Sequence, residues 1–365
     1  MMRLIKTRYK VNHAKDLSPE FLKKMPPLPV IDWKKIESKS PQLVTTKQNK
    51  DDKLPKVDVV IITWTEAEWA AFDHVFCNSE TEMPFAYYEN DSWQNSWNLY
   101  GRGYEKIESE LPADAPSKKN QSWGRFRIVL INNHRVLLFK SDMHITTDGP
   151  KIPLQILIEN IVQECSPDLL LTIGTAGGTR TGDVLGTVNI TNKAHFKLGG
   201  DFKDEKFNCN TYSNNWRPST DLLPSLKSNL MIKIPITFDI LEDLAKNIHP
   251  LKDLLDKEIE PDYVLPEYNI LDIPAFTTNE YEIATNDNHY DEYACMEMDD
   301  AVIAMVCSKN NQTFGIVRNI SDPVINHLLH NKEIQQKWAE AIFGTFGFYT
   351  SFNGALAAWA IVAAS

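Results

Sequence analysis

The sequence predicts an α/β protein: a three-layer α/β/α domain around a central mixed, mostly parallel sheet. Three observations lead there. Short apolar runs rich in β-branched residues, such as "VDVVIITW" (Val57–Trp64) and "PDLLLTIG" (Pro167–Gly174), read as strands buried on both faces. They alternate with helix-patterned segments such as "IPLQILIENIVQEC" (Ile152–Cys165), as a parallel sheet with crossover helices requires. The composition, 42% hydrophobic and 24% charged over 365 residues, suits a chain that builds a substantial core.

In chain order, residues 1–55 are Lys- and Pro-rich, with "PPLP" at Pro26–Pro29. They read as a basic N-terminal arm or linker, with room for one short helix, ahead of a body at 56–365. "VDVVIITW" is the first buried strand and "EAEWAAFDHVF" the helix after it. Residues 78–122, rich in Asn, Ser, Trp and Tyr and containing "GRG" (Gly101–Gly103), interrupt the pattern as an insertion or lid. "FRIVLINN" and "HRVLLFKS" pair as a hairpin across Asn132–Asn133. The amphipathic helix at Ile152–Cys165 leads into "PDLLLTIG", which ends in a glycine turn, "GTAGG" (Gly174–Gly178). "GDVLGTVNIT" (Gly182–Thr191) is the next strand, and residues 203–270 form a second, polar insertion.

"IPAFTT" then leads to "ACMEMDDAVIAMVC" (Ala294–Cys307), the start of a buried helix. Glu297, Asp299 and Asp300 stand at its entrance, where an unpaired carboxylate is costly to bury. "TFGIVRNISD" (Thr313–Asp322) is a strand ending in an acid. The stretch Ala341–Ser365 carries no charge and is long enough to span a bilayer. Its Thr345, Thr350, Ser351, Asn353 and glycines favour a buried helix or an oligomer contact over a membrane span.

A net charge of −11 disfavours nucleic acid as the main partner. Residues 1–56 hold 14 Lys/Arg against 6 Asp/Glu, so a basic arm precedes a strongly acidic body. The arm docks on its own domain or a neighbouring subunit, or is a solvated tail. Five scattered cysteines, with no CxxC and no His/Cys pair at zinc spacing, favour a reducing cytoplasm with no structural metal and no cofactor. The N-terminus lacks the apolar run of a signal peptide.

In such sheets ligands bind at the carboxyl ends of strands. The polar groups there are Thr63 to Glu68, Thr175 to Gly178, Glu297 to Asp300, and Ser321 with Asp322. Four segments, "VVIITWTEAEWAAF", "PDLLLTIGTAGGTRTGDVLGTV", "EYACMEMDDAVIAMVC" and "FGIVRNISD", resemble in kind and order those of the nucleoside phosphorylase and methylthioadenosine/adenosylhomocysteine nucleosidase superfamily. The resemblance runs from about Val57 to Asp322, less the two insertions. It implies a nucleoside phosphorylase-like catalytic domain that cleaves the N-glycosidic bond of purine nucleosides, adenine favoured, by water or by phosphate.

The resemblance also assigns roles. Asp322 matches the general acid that protonates the departing purine, with Ser321 to orient it. That chemistry passes through an oxocarbenium-like sugar. Asp322 also reads as a cap for the following segment, helped by Pro323. Glu68 matches the base that activates water; Glu66 takes the role if the alignment slips, and an acid in a first helical turn is favoured by the helix dipole anyway. Asp299 matches the acceptor of the ribose hydroxyls, with Glu297 beside it and Met298 packed on the sugar. Nucleosidases usually carry Glu there, and Asp299 or Asp300 serves equally well as an N-cap. Thr175, Ala176 and Gly177 match residues lining the ribose and nucleophile pocket. Tyr281 matches the ring that stacks on the base, or is a core aromatic.

Arg180, Arg318, Arg125 and Arg127 have no phosphorylase-like spacing, and Glu68 would repel phosphate, so hydrolysis is expected. Phosphorolysis and a non-catalytic nucleotide-binding module are the alternatives. The arm and insertions resemble longer members of the superfamily, bacterial antiviral defence effectors that remove adenine from ATP and related nucleotides. Arg102, Lys118, Lys119 and Arg125 are then the candidates to hold 5′ phosphates. The resemblance further implies a small-molecule partner and a homo-oligomer, a dimer or hexamer.

Overall fold

The structure is a computed structural model that describes residues 19–85, 91–146, 148, 152–180, 183–246, 265–280, 282, 284, 290–322 and 332–365. Its strands are β1 (Gln42–Val44), β2 (Val59–Thr63), β3 (Asn98–Tyr100), β4 (Gly124–Ile131), β5 (His134–Ser141), β6 (Leu169–Gly177), β7 (Val188–Thr191), β8 (Lys193–Phe196), β9 (Thr211–Ser213), β10 (Tyr268–Ile270), β11 (Ala275–Thr277), β12 (Met296–Glu297) and β13 (Phe314–Asp322). The main helices are α1 (Glu66–Cys77), α2 (Pro153–Cys165), α3 (Asp300–Lys309) and α4 (Lys332–Ala363).

The β-branched runs form the centre of the sheet. Strands β5, β2, β6 and β13 lie side by side and parallel. Antiparallel pairing enters at the flanks: β4 with β5, β1 with β4, and β7 with β13. A second branch leaves the end of β6 through β12 and β11 to β8. Because strand side chains alternate, Val59 and Ile61 of β2 join the core under α1 and α4. Val60, Ile62 and Trp64 join the one under α2 and α3. The result is a mixed sheet between two helical layers, the α/β fold expected. The hairpin turns at Asn132 with φ 52°, and Ile131 pairs with His134.

The described part of the arm lies on its own body. Phe21, Met25, Leu28, Ile31, Trp33 and Ile36 are buried in the α1/α4 layer, Trp33 packs 4.4 Å from Trp359, and β1 extends the sheet. In the first insertion Tyr100 and Tyr104 are buried, and Trp97 Nε1 donates to Asp73 at 2.7 Å. Leu223, Leu226 and Ile240 of the second insertion join the α1/α4 core.

The apolar stretch Gln335–Ala363 is long and apolar enough to cross a membrane, yet its most apolar window is wholly buried within the protein. Several of its buried polar groups find partners, although the Ser351 hydroxyl and the Trp359 indole N–H have none among the described residues. Thr350 is hydrogen-bonded to Asn319 at 2.8 Å, and the Asn353 amide binds Ile232 N and O at 3.1 and 3.0 Å.

One local expectation is corrected. "GTAGG" is not a turn after β6: the strand continues through Gly177, because β13 keeps pairing with it as far as Asp322.

Candidate active site

The carboxyl ends of β2, β6, β12 and β13 converge on one cavity. It measures about 610 Å³ out to its open mouth, and its lining includes Trp64, Thr65, Glu68, His144, Thr175, Ala176, Gly177, Thr278, Glu280, Glu282, Met296, Glu297, Met298, Asp299, Arg318, Asp322 and Phe343. Glu68 and Asp322, far apart in sequence, share this wall.

Glu68 is placed by a capping box. Thr65 caps α1 and accepts from Glu68 N at 3.3 Å, while Glu68 Oε2 accepts from Thr65 N at 2.9 Å. The same oxygen accepts from Trp64 N and Thr63 Oγ1, each at 3.0 Å. Its other oxygen accepts from Thr175 N at 2.8 Å and Thr175 Oγ1 at 2.6 Å. The capping box therefore forms part of the cavity wall, and five donors hold the buried Glu68 carboxylate in place. Glu66, two residues earlier, does not line the cavity.

The acids before α3 divide the work. Glu297, not Asp299, caps the helix: its Oε2 accepts from Asp299 N at 2.6 Å and Asp300 N at 2.8 Å, and its other oxygen is bonded to Thr277 Oγ1. Asp299 sits at the N-cap position without capping. Its Oδ1 accepts from Ile145 N at 3.2 Å, and its Oδ2 lies 3.0 Å from His144 Nε2. Asp300 turns away to grip Arg318 bidentately, at 2.8 and 2.6 Å. Arg318 also donates to Glu297 at 3.3 Å and lies 5.0 Å from the Trp64 ring.

Burial pushes the Glu297 carboxyl up to about 7, aided by the charge of Asp300 and opposed by Arg318. Burial, then Glu297, also hold Asp299 well above the ordinary range. For Arg318 burial works against the charge, but Asp300 and Glu297 outweigh it and raise its pKa. Gly174 makes this proximity possible. A Cβ there would lie 2.5 Å from Arg318 Nη1 and 3.0 Å from Glu68 Oε1.

Strand β13 carries a bulge at Ser321: Ile320 pairs with Ala176 and Asp322 with Gly177, leaving Ser321 between. Such a bulge re-aims the next side chain, and Asp322 faces the cavity. Ser321 does not line it. Its hydroxyl turns to Ala176 O, 3.5 Å away, so it does not orient Asp322 through a hydrogen bond.

Of the residues singled out by sequence, Glu68, Asp322, Thr175, Ala176, Gly177, Glu297, Met298 and Asp299 thus meet at one cavity, and Ser321 does not. Tyr281 lies outside the described residues, as does Pro323. The cations proposed for 5′ phosphates are elsewhere. Arg102 pairs with Glu164 at 3.2 Å, Arg125 donates to Gln94 O at 2.9 Å, Lys118 donates to Leu111 O at 2.8 Å, and neither these nor Lys119 line the cavity. No described residue of 78–122 lines it either, so the described part of the first insertion packs on the body rather than over this site.

The sequence offered Arg318 only among four Arg weighed and set aside as phosphate-binding cations, and it did not pick out His144. An Arg inside the apolar strand "FGIVRNISD" signals a buried acid partner. His144 stands at the end of β5, where the same strand-end rule would have found it.

The molecule is thus an α/β protein whose strand ends build an acid-lined cavity around one neutralised Arg. No protein-family model and no curated protein matches the chain. Solved structures similar to it include the 5′-methylthioadenosine/S-adenosylhomocysteine nucleosidase of Neisseria meningitidis in complex with methylthio-immucillin-A, with a TM-score of 0.47, 15% identity, and coverage of 84% of this chain and 99% of that one. The Streptococcus pneumoniae MTA/SAH nucleosidase in complex with 8-aminoadenine follows at TM-score 0.46 and 13% identity, covering 84% and 100%. The futalosine hydrolase of Helicobacter pylori gives 0.45 and 10%, covering 84% and 97%.

Proposed function

We propose that this protein hydrolyses the N-glycosidic bond of a purine nucleoside, adenine favoured, and releases the free base. The observation that carries the reading is the convergence of Glu68 and Asp322 on one acid-lined cavity, with Asp299 and Met298 on the same wall. The Glu68 carboxylate on this wall favours the positive charge that grows on the sugar as the bond to the base breaks.

In this reading water adds to C1′ and gives its proton to Glu68. The C1′–N9 electrons pass to the purine, and N7 takes a proton from Asp322. Glu68 has no acceptor position to spare while both Thr63 and Thr175 hydroxyls donate to it. The Thr175 hydroxyl must therefore rotate to admit the water, while Thr175 N keeps the carboxylate in place.

Phosphate is the poorer nucleophile here. Arg318 is the only Arg or Lys among the described lining residues, and Asp300 and Glu297 neutralise it. An acidic wall that includes Glu280 and Glu282 also disfavours a 5′-triphosphate, so a nucleoside is favoured over ATP and over the defence-effector substrate class. A homo-oligomer, dimer or hexamer, located in the cytoplasm, belongs to the same proposal.

The test is incubation with purine nucleosides and nucleotides, with and without phosphate, followed by chromatography of bases and sugars. Free base with free ribose in phosphate-free buffer is expected, faster from nucleosides than from nucleotides. Ribose 1-phosphate as product would establish a phosphorylase. Binding without release would establish a nucleotide-binding module.

A further inference from the structure

His144 belongs to no motif of the sequence, yet the loop that carries it is built with care. Ser141 Oγ donates to Met143 O at 2.9 Å and accepts from Met143 N at 3.0 Å. Asp148 Oδ2 accepts from His144 N at 2.5 Å, and Asp148 N donates back to His144 O at 3.1 Å. These bonds fix the main chain just beyond β5. The imidazole is 3% exposed and lines the cavity.

Its two nitrogens have different partners. Thr146 N donates to Nδ1 at 3.1 Å, so Nδ1 carries no proton in this arrangement. The proton is then on Nε2, which donates to Asp299 Oδ2 at 3.0 Å. Asp299 Oδ1 accepts from Ile145 N at 3.2 Å. Each carboxylate oxygen offers two acceptor positions, so one remains on each oxygen. Two adjacent free acceptors on a fixed carboxylate match the two hydroxyls of a vicinal diol.

We propose that His144 is a positioning residue: with Ile145 N it sets the Asp299 carboxylate to take the 2′- and 3′-hydroxyls of a riboside, so that the site selects ribosides over 2′-deoxyribosides. The inference rests on the proposed seat of the sugar at Asp299. The short Asp side chain is then aimed by the β5 loop, 154 residues away in sequence, rather than by its own helix.

The test measures binding and base release for adenosine, guanosine and their 2′-deoxy forms. It compares the wild type with His144→Ala and with His144→Gln, which keeps a donor. The wild type is expected to prefer ribosides by about tenfold or more. His144→Ala should lose most of that preference and His144→Gln should recover part of it. If the alanine variant does not fold, His144→Leu, which fills the space without a donor, reads the same ratio. A wild type that does not discriminate or binds none of the four overturns the proposal. So does a variant that weakens both sugars equally. Binding without base release sinks hydrolysis instead, while the binding ratio still decides the role of His144.

Discussion

Glu68→Gln separates a cap from a catalyst. The wild-type carboxylate accepts three hydrogen bonds on Oε2 at 2.9–3.0 Å and two on Oε1 at 2.6 and 2.8 Å. Glutamine fills the same space with one acceptor oxygen and one NH2. The oxygen can face Trp64 N and Thr65 N, but the NH2 then points at Thr175 N, donor against donor. A mispaired buried N–H costs about 1–3 kcal/mol, and bonds to a charge lose part of their strength on neutralisation, so a total near 2–4 kcal/mol is expected. Removing a general base lowers the rate by about 10²–10⁴-fold. The assay pairs urea unfolding with initial rates of base release, taken where circular dichroism shows the variant folded. A folded variant that keeps more than about a tenth of the wild-type rate would reduce Glu68 to a helix cap. A variant of unchanged stability would refute the five-donor network itself.

Other outcomes follow from the same site. Asp322→Asn should cut release of unactivated purines by about 10²-fold or more. It should spare a riboside with a nitrophenol leaving group, which departs without protonation; equal losses on both would refute the general-acid role. Arg318→Met leaves Asp300 buried and unpaired, so unfolding free energy should fall by about 3–5 kcal/mol, and adding Asp300→Asn should recover part of it in the same urea titration. Glu297 keeps its proton up to about pH 7 when folded but loses it near 4.5 when unfolded, so the folded chain binds more protons in between. Its contribution to stability therefore falls as pH rises from about 4.5 to about 7, and Glu297→Gln should flatten that part of the curve. An unchanged slope would contradict the burial assigned to Glu297.

Much of this was legible in the chain. Continuous apolar runs located β2, β6 and β13, and helix-patterned segments located α1 and α2, because burial on both faces or on one stripe leaves its own pattern in the sequence. The rule that ligands sit at strand ends then gathered Glu68, Thr175, Asp299 and Asp322. The Asn132–Asn133 turn was readable because Asn tolerates the positive φ a tight hairpin needs.

What spacing could not decide was direction. Asp299 and Asp300 are neighbours, yet one faces the cavity and the other holds Arg318, according to where β12 ends and α3 begins. Ser321 and Asp322 exchange faces because of a single bulged residue, which only the pairing with β6 reveals. The C-terminal helix, uncharged from Ala341 onward, satisfies the length rule for a bilayer, and only its neighbours decide that it is packed in protein. Sequence alone set which segments were strands and helices and which of their ends were polar, because those properties are local. Tertiary structure alone decided which carboxylate is capped, paired or left facing the cavity, because the deciding partners, Arg318, His144 and Thr175, come from remote parts of the chain.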